Sequence, residues 1–220
     1  MRHRGAKARG GPRGGGETRG IRSFVAVLLP EAVRARVGEA AAELRSRAGS
    51  VSWVREENFH VTLRFLGSVD EATLGRVHEA LAAAAAGLAP FRLALGGFGG
   101  FPTAQAPRVL WVGLTAGAEP LVQLHARLEA ALARRGIPPE GRGFHPHVTI
   151  GRAREPRGVA GIGELLDGTG GPLGESLVEA VHLMRSDLHP AGARYGVLAR
   201  EALGGHPEHS PGVDMVGGAP

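Results

Sequence analysis

Two stretches decide the fold: Asn58-Phe-His-Val-Thr-Leu-Arg-Phe-Leu-Gly67 and Phe144-His-Pro-His-Val-Thr-Ile-Gly-Arg152. Each carries His-Val-Thr followed by an aliphatic residue, as His60-Val61-Thr62 and as His147-Val148-Thr149. Side chains of a strand alternate between its two faces. His60 and Thr62 therefore share one face, with Val61 and Leu63 turned toward a core, and His147 and Thr149 share a face against Val148 and Ile150. One His-x-Thr triplet is a common coincidence. Two copies, each in a β-rich run and each followed by a helical pattern, point to an internal duplication that presents an imidazole and a hydroxyl twice.

Outward from the first stretch, Phe24 to Leu29 is a short apolar strand stopped by Pro30. Glu31 to Ala48 places Val33, Val37, Ala41 and Leu44 at helical spacing, and Val51 to Val54 is β-rich. Asp70 is suited to cap a helix carrying Leu74, Val77 and Leu81, which Gly87 and Pro90 close. Around the second stretch, Phe91 to Phe98 and Val109 to Leu114 are predicted strands. Glu119 to Arg135 is a predicted helix with Leu121, Leu124, Leu128 and Leu132, ended by Gly136. His147 to Ala153 is a strand, Val159 to Leu166 a short helix, and Leu177 to Leu188 and Tyr195 to Leu198 are further strands. This is an α+β chain in two similar lobes. No Gly-rich phosphate loop joins a strand to a helix, which disfavours Rossmann and P-loop folds.

The 220 residues carry a net charge of +5, but the charge is unevenly placed. Residues 1–22 hold seven positive groups against Glu17 alone, so the remaining 198 residues have a net charge of −1. Any affinity of the folded part for nucleic acid must then come from a local site rather than a global field. Residues 1–20, built largely of Gly and Arg, and residues 204–220 lack hydrophobic periodicity and are expected to be disordered. That leaves residues 21–203 as the folded unit. The chain contains no cysteine, which excludes disulfides, thiolate nucleophiles and zinc–cysteine sites, and fits a reducing cytoplasm. No apolar run is long enough to cross a membrane.

The residue types suit acid–base chemistry on a phosphodiester. Opening a cyclic phosphodiester needs a base for the attacking water and an acid for the departing oxygen, and two imidazoles supply both near pH 7. The hydroxyls of Thr62 and Thr149 can donate to the non-bridging phosphoryl oxygens. The scheme calls for no metal and no cofactor. A rival use of His145 and His147 as a zinc-binding pair lacks Asp, Glu or Cys close to either motif, and Pro146 sits between the two. Period two also puts Arg64 beside His60 and Thr62 if the strand runs straight, where it would hold phosphate; otherwise it is a solvent-facing arginine. Arg152 is out of phase with His147 and needs a bulge or turn to join it. Phe24, Trp53, Phe59, Trp111 and Tyr195 are the aromatic candidates for stacking on a nucleobase, each competing with a role in the core.

On these residues the chain resembles the two-histidine (2H) phosphoesterases, and among them the RNA 2′,3′-cyclic phosphodiesterases, also called 2′-5′ RNA ligases. The resemblance extends beyond the motifs to Arg22-Ser-Phe-Val-Ala-Val27, Trp53-Val54, Arg108-Val-Leu-Trp-Val-Gly113, Leu183-Met-Arg-Ser186 and Ala193-Arg-Tyr-Gly-Val-Leu198. It covers about residues 21–203. Gly196 stands where an acidic residue is common. The resemblance implies a bilobal fold, its two pseudo-symmetric lobes each an antiparallel sheet facing a central groove with helices outside. It also implies hydrolysis of a terminal RNA 2′,3′-cyclic phosphate to a 2′-phosphate, with His60 as proton donor and His147 as proton acceptor. Arg64, Arg152, Phe24, Trp111 and Tyr195 are the expected substrate contacts, and a monomer is expected. Two alternatives share the same groove: reversible 2′-5′ ligation, and a module that binds RNA ends without turnover.

Overall fold

The computed structural model describes residues 20–141, 143–154, 163, 166, 171–190 and 192–204. The expected terminal tails, apart from Gly20 and Gly204, and most of the short helix expected over Val159 to Leu166 lie outside them. In chain order the elements are β1 (Ile21–Leu28), α1 (Glu31–Ala40), α2 (Ala42–Arg47), β2 (Val51–Trp53), β3 (His60–Val69), α3 (Glu71–Ala85), β4 (Phe91–Phe101), β5 (Val109–Ala116), α4 (Ala118–Ala133), β6 (Val148–Ala153), β7 (Pro172–Val178), β8 (Ala180–Asp187) and β9 (Arg194–Ala202).

The strands form one antiparallel path in the order β7-β4-β5-β6-β3-β1-β8-β9, with β2 added against β6. The two halves of the path, β7-β4-β5-β6 and β3-β1-β8-β9, are the two lobes. They meet where β3 pairs with β6, through the single register pair Val61↔Val148. The two motif strands are thus the innermost strands of the molecule. Continuing that register by one residue on each side sets His60 opposite Thr149 and Thr62 opposite His147.

Alternation explains the backing. Val61, Leu63, Val148 and Ile150 are buried in the main core with Val25, Val27, Leu110 and Val112. Onto this face pack the apolar stripes of the helices, Val77 and Leu81 from α3 and Leu121, Leu124, Leu128 and Leu132 from α4. Asp70 caps α3 as its position suggests, accepting the Thr73 N–H at 2.8 Å; such a cap contributes about 1 kcal/mol. The helix expected over Glu31 to Ala48 is interrupted at Ala41, yet Val33, Val37, Ala41 and Leu44 are all buried.

The apolar run Leu177 to Leu188 is two strands rather than one. Only Glu179 separates β7, which pairs with β4 in one lobe, from β8, which pairs with β1 in the other. The run looks continuous because Val178 and Ala180 are both buried on either side of the exchange.

Candidate active site

His60 opens β3 and lies between the two lobes. Its Nδ1 is 2.7 Å from the carbonyl oxygen of Asn58. A carbonyl only accepts, so Nδ1 carries the proton and donates, which leaves Nε2 as the basic nitrogen of the neutral ring. Thr62 Oγ1 stands 3.0 Å from that Nε2 and donates to it. Phe24 stacks on the ring at 4.9 Å, and Tyr195 meets it edge-on at 5.4 Å. Burial under these aromatics pushes the His60 pKa down to about 4, and the nearby His147 charge adds to the depression, while the Asn58 carbonyl partly offsets it.

His147 repeats the arrangement. Its Nδ1–H donates to the His145 carbonyl two residues earlier, at 2.6 Å, so Nε2 is again the basic nitrogen. Phe101 meets the ring edge-on at 5.1 Å and Trp111 lies at 6.3 Å. Burial lowers its pKa first, and the charges of Arg152 and His145 lower it further. Both imidazoles are therefore fixed in one tautomer by the backbone just before them, and their lowered pKa values keep them neutral at pH 7.

A groove of about 900 Å³ runs along this face, and His60, Thr62, Thr149, Arg152 and Tyr195 all line it. His147 stands beside Phe101 and Trp111 at its edge rather than in the lining. Among the described residues the groove wall includes Arg22, Arg55, Arg152 and Arg154 and no Asp or Glu. Arg55 is neutralised by Glu57 at 2.5 Å. Tyr195 has its phenol pKa raised by burial, with Arg152 and Arg22 acting in the opposite direction from the two lobes.

Three expectations need correction. Arg64 does not face the groove. Ala26 pairs with Thr62 and Val25 with Arg64, so Leu63 is an extra residue in β3, a β-bulge that reverses the alternation. Arg64 is consequently 7% exposed. Its Nη1 donates to both carboxylate oxygens of Glu129 at 2.9 and 2.8 Å, and its Nη2 to the Pro138 carbonyl at 2.5 Å. Glu129 in turn accepts the Glu140 N–H at 3.2 Å. Arg64 thus ties the first motif strand to α4 and to the loop leading to the second motif. On that loop Phe144 stacks flat on His125 of α4 at 4.2 Å.

Phe24 belongs to the groove lining but is only 3% exposed, its ring packed between His60 and Tyr195, which leaves no free face for a base. Trp111 points to the same side as Thr149, its register partner, but its ring covers Gly99, where a Cβ would come within 2.2 Å of it. It supports Phe101 and His147 rather than lining the groove. Of the remaining aromatics, Phe59 is buried in the core. Trp53 lies at the groove edge with Arg45 over its ring.

Arg152 and Tyr195 do line the groove. A bulge brings Arg152 there: Trp111 pairs with Thr149 and Leu110 with Gly151, so Ile150 is the extra residue in β6. The two bulges are equivalent, and the fifth residue after each motif histidine, Phe65 and Arg152, is brought round to the groove. Phe65, half exposed, escaped the sequence reading, although aligning the two motifs on their histidines sets it opposite Arg152. Arg22, Arg154 and the carbonyls of Asn58 and His145 also escaped it; Arg22 is in phase with Phe24, while the carbonyls leave no sequence signal.

Known proteins are similar in sequence and in fold. The model of the 2′-5′ RNA ligase superfamily matches residues 29–190. An RNA 2′,3′-cyclic phosphodiesterase of Methanothermobacter thermautotrophicus is 35% identical over 176 residues, which are 80% of this chain and 95% of that protein. One of Thermus thermophilus is 37% identical over 194 residues, 84% of this chain and 91% of that protein. Among solved structures, TT0787 of Thermus thermophilus superposes with a TM-score of 0.71 at 33% identity, covering 86% of this chain and 100% of that one. LigT of E. coli, complexed with 3′-AMP, gives 0.67 at 30% identity, covering 84% and 98%. With the matched model spanning most of the folded residues and the same fold in these relatives, the chain belongs to the 2′-5′ RNA ligase superfamily of two-histidine phosphoesterases.

Proposed function

We propose that this protein hydrolyses the 2′,3′-cyclic phosphate at RNA ends to a 2′-phosphate, by metal-independent acid–base catalysis with its two His-x-Thr motifs. The observation that carries this reading is the duplicated tether. In each motif the histidine donates from Nδ1 to the carbonyl two residues earlier, which leaves Nε2 as its basic nitrogen, and in the first motif a threonine hydroxyl stands beside it. The names of the relatives supply the substrate class.

In this mechanism His147 Nε2 takes a proton from water, and the oxygen of that water forms a bond to phosphorus as the bond to the ribose 3′ oxygen breaks. His60, protonated at Nε2, gives its proton to that departing oxygen, leaving a 2′-phosphate. By itself His60 carries no proton on Nε2 at pH 7, because its pKa lies at about 4. The anionic substrate supplies the missing stabilisation: an opposite charge at contact distance favours the imidazolium. Protonation also frees the Thr62 hydroxyl. It donates to Nε2 of the neutral ring, and once Nε2 bears a proton it can turn to a non-bridging oxygen. Thr149 serves the other side.

The test is incubation with a nucleoside 2′,3′-cyclic phosphate and with a cyclic-ended oligonucleotide, with and without chelator. The expected product is the 2′-phosphate in both conditions. Turnover that a chelator abolishes, a 3′-phosphate product, or no turnover would overturn the reading.

A further inference from the structure

The donors along the groove outnumber what one cyclic phosphate needs. Beyond His60, the concave face of the first lobe carries a second cluster. Ser186 of β8 pairs with Tyr195 of β9, and the β1–β8 register, continued one residue from Ser23↔Arg185, brings Arg22 opposite Ser186. Arg22, Ser186 and Tyr195 therefore form one row across three neighbouring strands, and all three line the groove. None of their side chains has an ion-pair or hydrogen-bond partner among the described residues. Arg185, next to Ser186, is by contrast held by Asp187 at 2.8 Å.

Arg22 and Ser186 lie away from the catalytic centre, and Tyr195 joins the two. Arg22 lies four residues along β1 from Ala26, the partner of Thr62, or about 13 Å at the rise of a strand. Tyr195 bridges the interval, its ring against His60 and its phenol within the electrostatic reach of both Arg22 and Arg152. A groove wall without carboxylates among the described residues, in a folded part with no net positive charge, marks this face as a local anion site. The anion it suits lies one nucleotide from the first, on the same strand.

Resting on the function proposed above, the geometry points to Arg22, Ser186 and Tyr195 as a subsite for the internucleotide phosphodiester that precedes the cyclic end. The protein is thereby selective for oligonucleotides over nucleoside 2′,3′-cyclic phosphates. Arg22 supplies the charge, and the two hydroxyls donate to the phosphoryl oxygens.

The experiment compares three substrates: a nucleoside 2′,3′-cyclic phosphate, a dinucleotide with the same cyclic end, and that dinucleotide with an uncharged methylphosphonate linkage. Wild type should prefer the charged dinucleotide by about tenfold or more, as one charge-assisted contact allows. Methylphosphonate substitution should remove that preference. Arg22→Ala should lower kcat/KM for the charged dinucleotide about tenfold more than for the mononucleotide and be nearly blind to the methylphosphonate. Equal losses on all three substrates, or a wild type indifferent to the linkage, overturn the subsite. Affinity for a labelled dinucleotide 2′-phosphate, charged against methylphosphonate, reads the subsite without turnover. If no substrate turns over, the proposed activity falls, and this affinity still decides the subsite: a linkage-dependent affinity that Arg22→Ala abolishes supports it, and an indifferent one removes it. The log–log salt slope of binding should also shrink by roughly 0.7 in Arg22→Ala, the value for one phosphate on a single strand.

Discussion

The two motif strands are built alike and finished differently. Each is led by a histidine tethered to the carbonyl two residues before it, His60 as the first residue of β3 and His147 just ahead of β6; each has a threonine two residues on, and both bulge one residue later. They part at the fourth and fifth residues after the histidine. On β3 these are Arg64, buried against Glu129, and Phe65, half exposed in the groove. On β6 they are Gly151, whose missing Cβ would come within 2.7 Å of Val51 and 3.0 Å of Trp53, and Arg152, exposed in the groove. The surroundings part as well. His60 lies beneath Phe24 and Tyr195, whereas His147 stands at an edge with Phe101 and Trp111. The tethered histidine is thus present twice, and at the fifth position one lobe turns an aromatic ring to the groove and the other a cation.

The shared part of the comparison predicts the largest effect. His60→Ala and His147→Ala should each lower kcat/KM by on the order of 10²–10⁴, the usual worth of a general acid or base. The losses should be of similar size, because in the proposed mechanism each histidine serves one half of a single proton transfer cycle. A variant retaining activity within about threefold of wild type would show that the two motifs are equivalent in shape only.

The fourth position separates the lobes by stability. Arg64→Met leaves Glu129 half buried without its cation and unties the loop before the second motif. It should cost about 3–5 kcal/mol, a drop in melting temperature on the order of 10 °C for a domain of this size. Gly151→Ala should cost less, about 1–3 kcal/mol, because an added methyl must displace Val51 and Trp53 of the small strand β2. An unaltered melting temperature in Arg64→Met would return Arg64 to the role of a solvent-facing or ligand-binding arginine.

The histidine environments predict a pH dependence of stability. His60 has a folded pKa of about 4 against an ordinary value of 6.5. Between those values the unfolded chain binds a proton that the folded chain does not, so stability rises with pH across that window. The contribution is complete above pH 6.5, is lost as pH falls toward 4, and amounts to on the order of 2–3 kcal/mol. Urea titrations of wild type and His60→Gln between pH 4 and 7 should show the slope in the first and its reduction in the second. Saturating phosphate should also flatten it, because a bound anion restores the imidazolium.

Much of this was legible in the sequence, and the rest for one reason was not. Period two correctly placed His60 and Thr62 against Val61 and Leu63, because that alternation depends only on the local chain. It failed at Arg64 two residues later, because a bulge belongs to the pairing of two strands and only the partner, here β1, reveals the extra residue. The same ignorance of partners merged β7 and β8 into one run, since Glu179 changes lobe without breaking the apolar pattern. Phe24 and Trp111 were recognised as neighbours of the site, but whether an aromatic ring is a platform or a buttress depends on what covers its faces. The helices were easier: the stripes of α3 and α4 and the Asp70 cap are local signals, and they stand where the pattern put them.

The fifth position gives the smallest effect and the sharpest use of the comparison. If Phe65 and Arg152 are equivalent sites carrying different chemistry, each should fail in its own way. Phe65→Ala removes an exposed aromatic face, and loss of base stacking costs about 1–3 kcal/mol; the low end is expected, since half of the ring is already covered by its neighbours. That is a rise in KM of about fivefold to tenfold, largely independent of salt. Arg152→Ala removes a charge-assisted contact of similar size, but its effect should fade as salt rises, because added ions screen the same interaction in wild type. The exchange Phe65→Arg with Arg152→Phe conserves composition and moves the cation from one lobe to the other. It should retain the salt dependence of wild type while losing activity, because the cation then lies beside His60, the proposed proton donor, and the aromatic ring beside His147, the proposed acceptor. Full activity in the exchanged protein would mean that the two lobes are interchangeable and that their divergence at this position carries no chemistry.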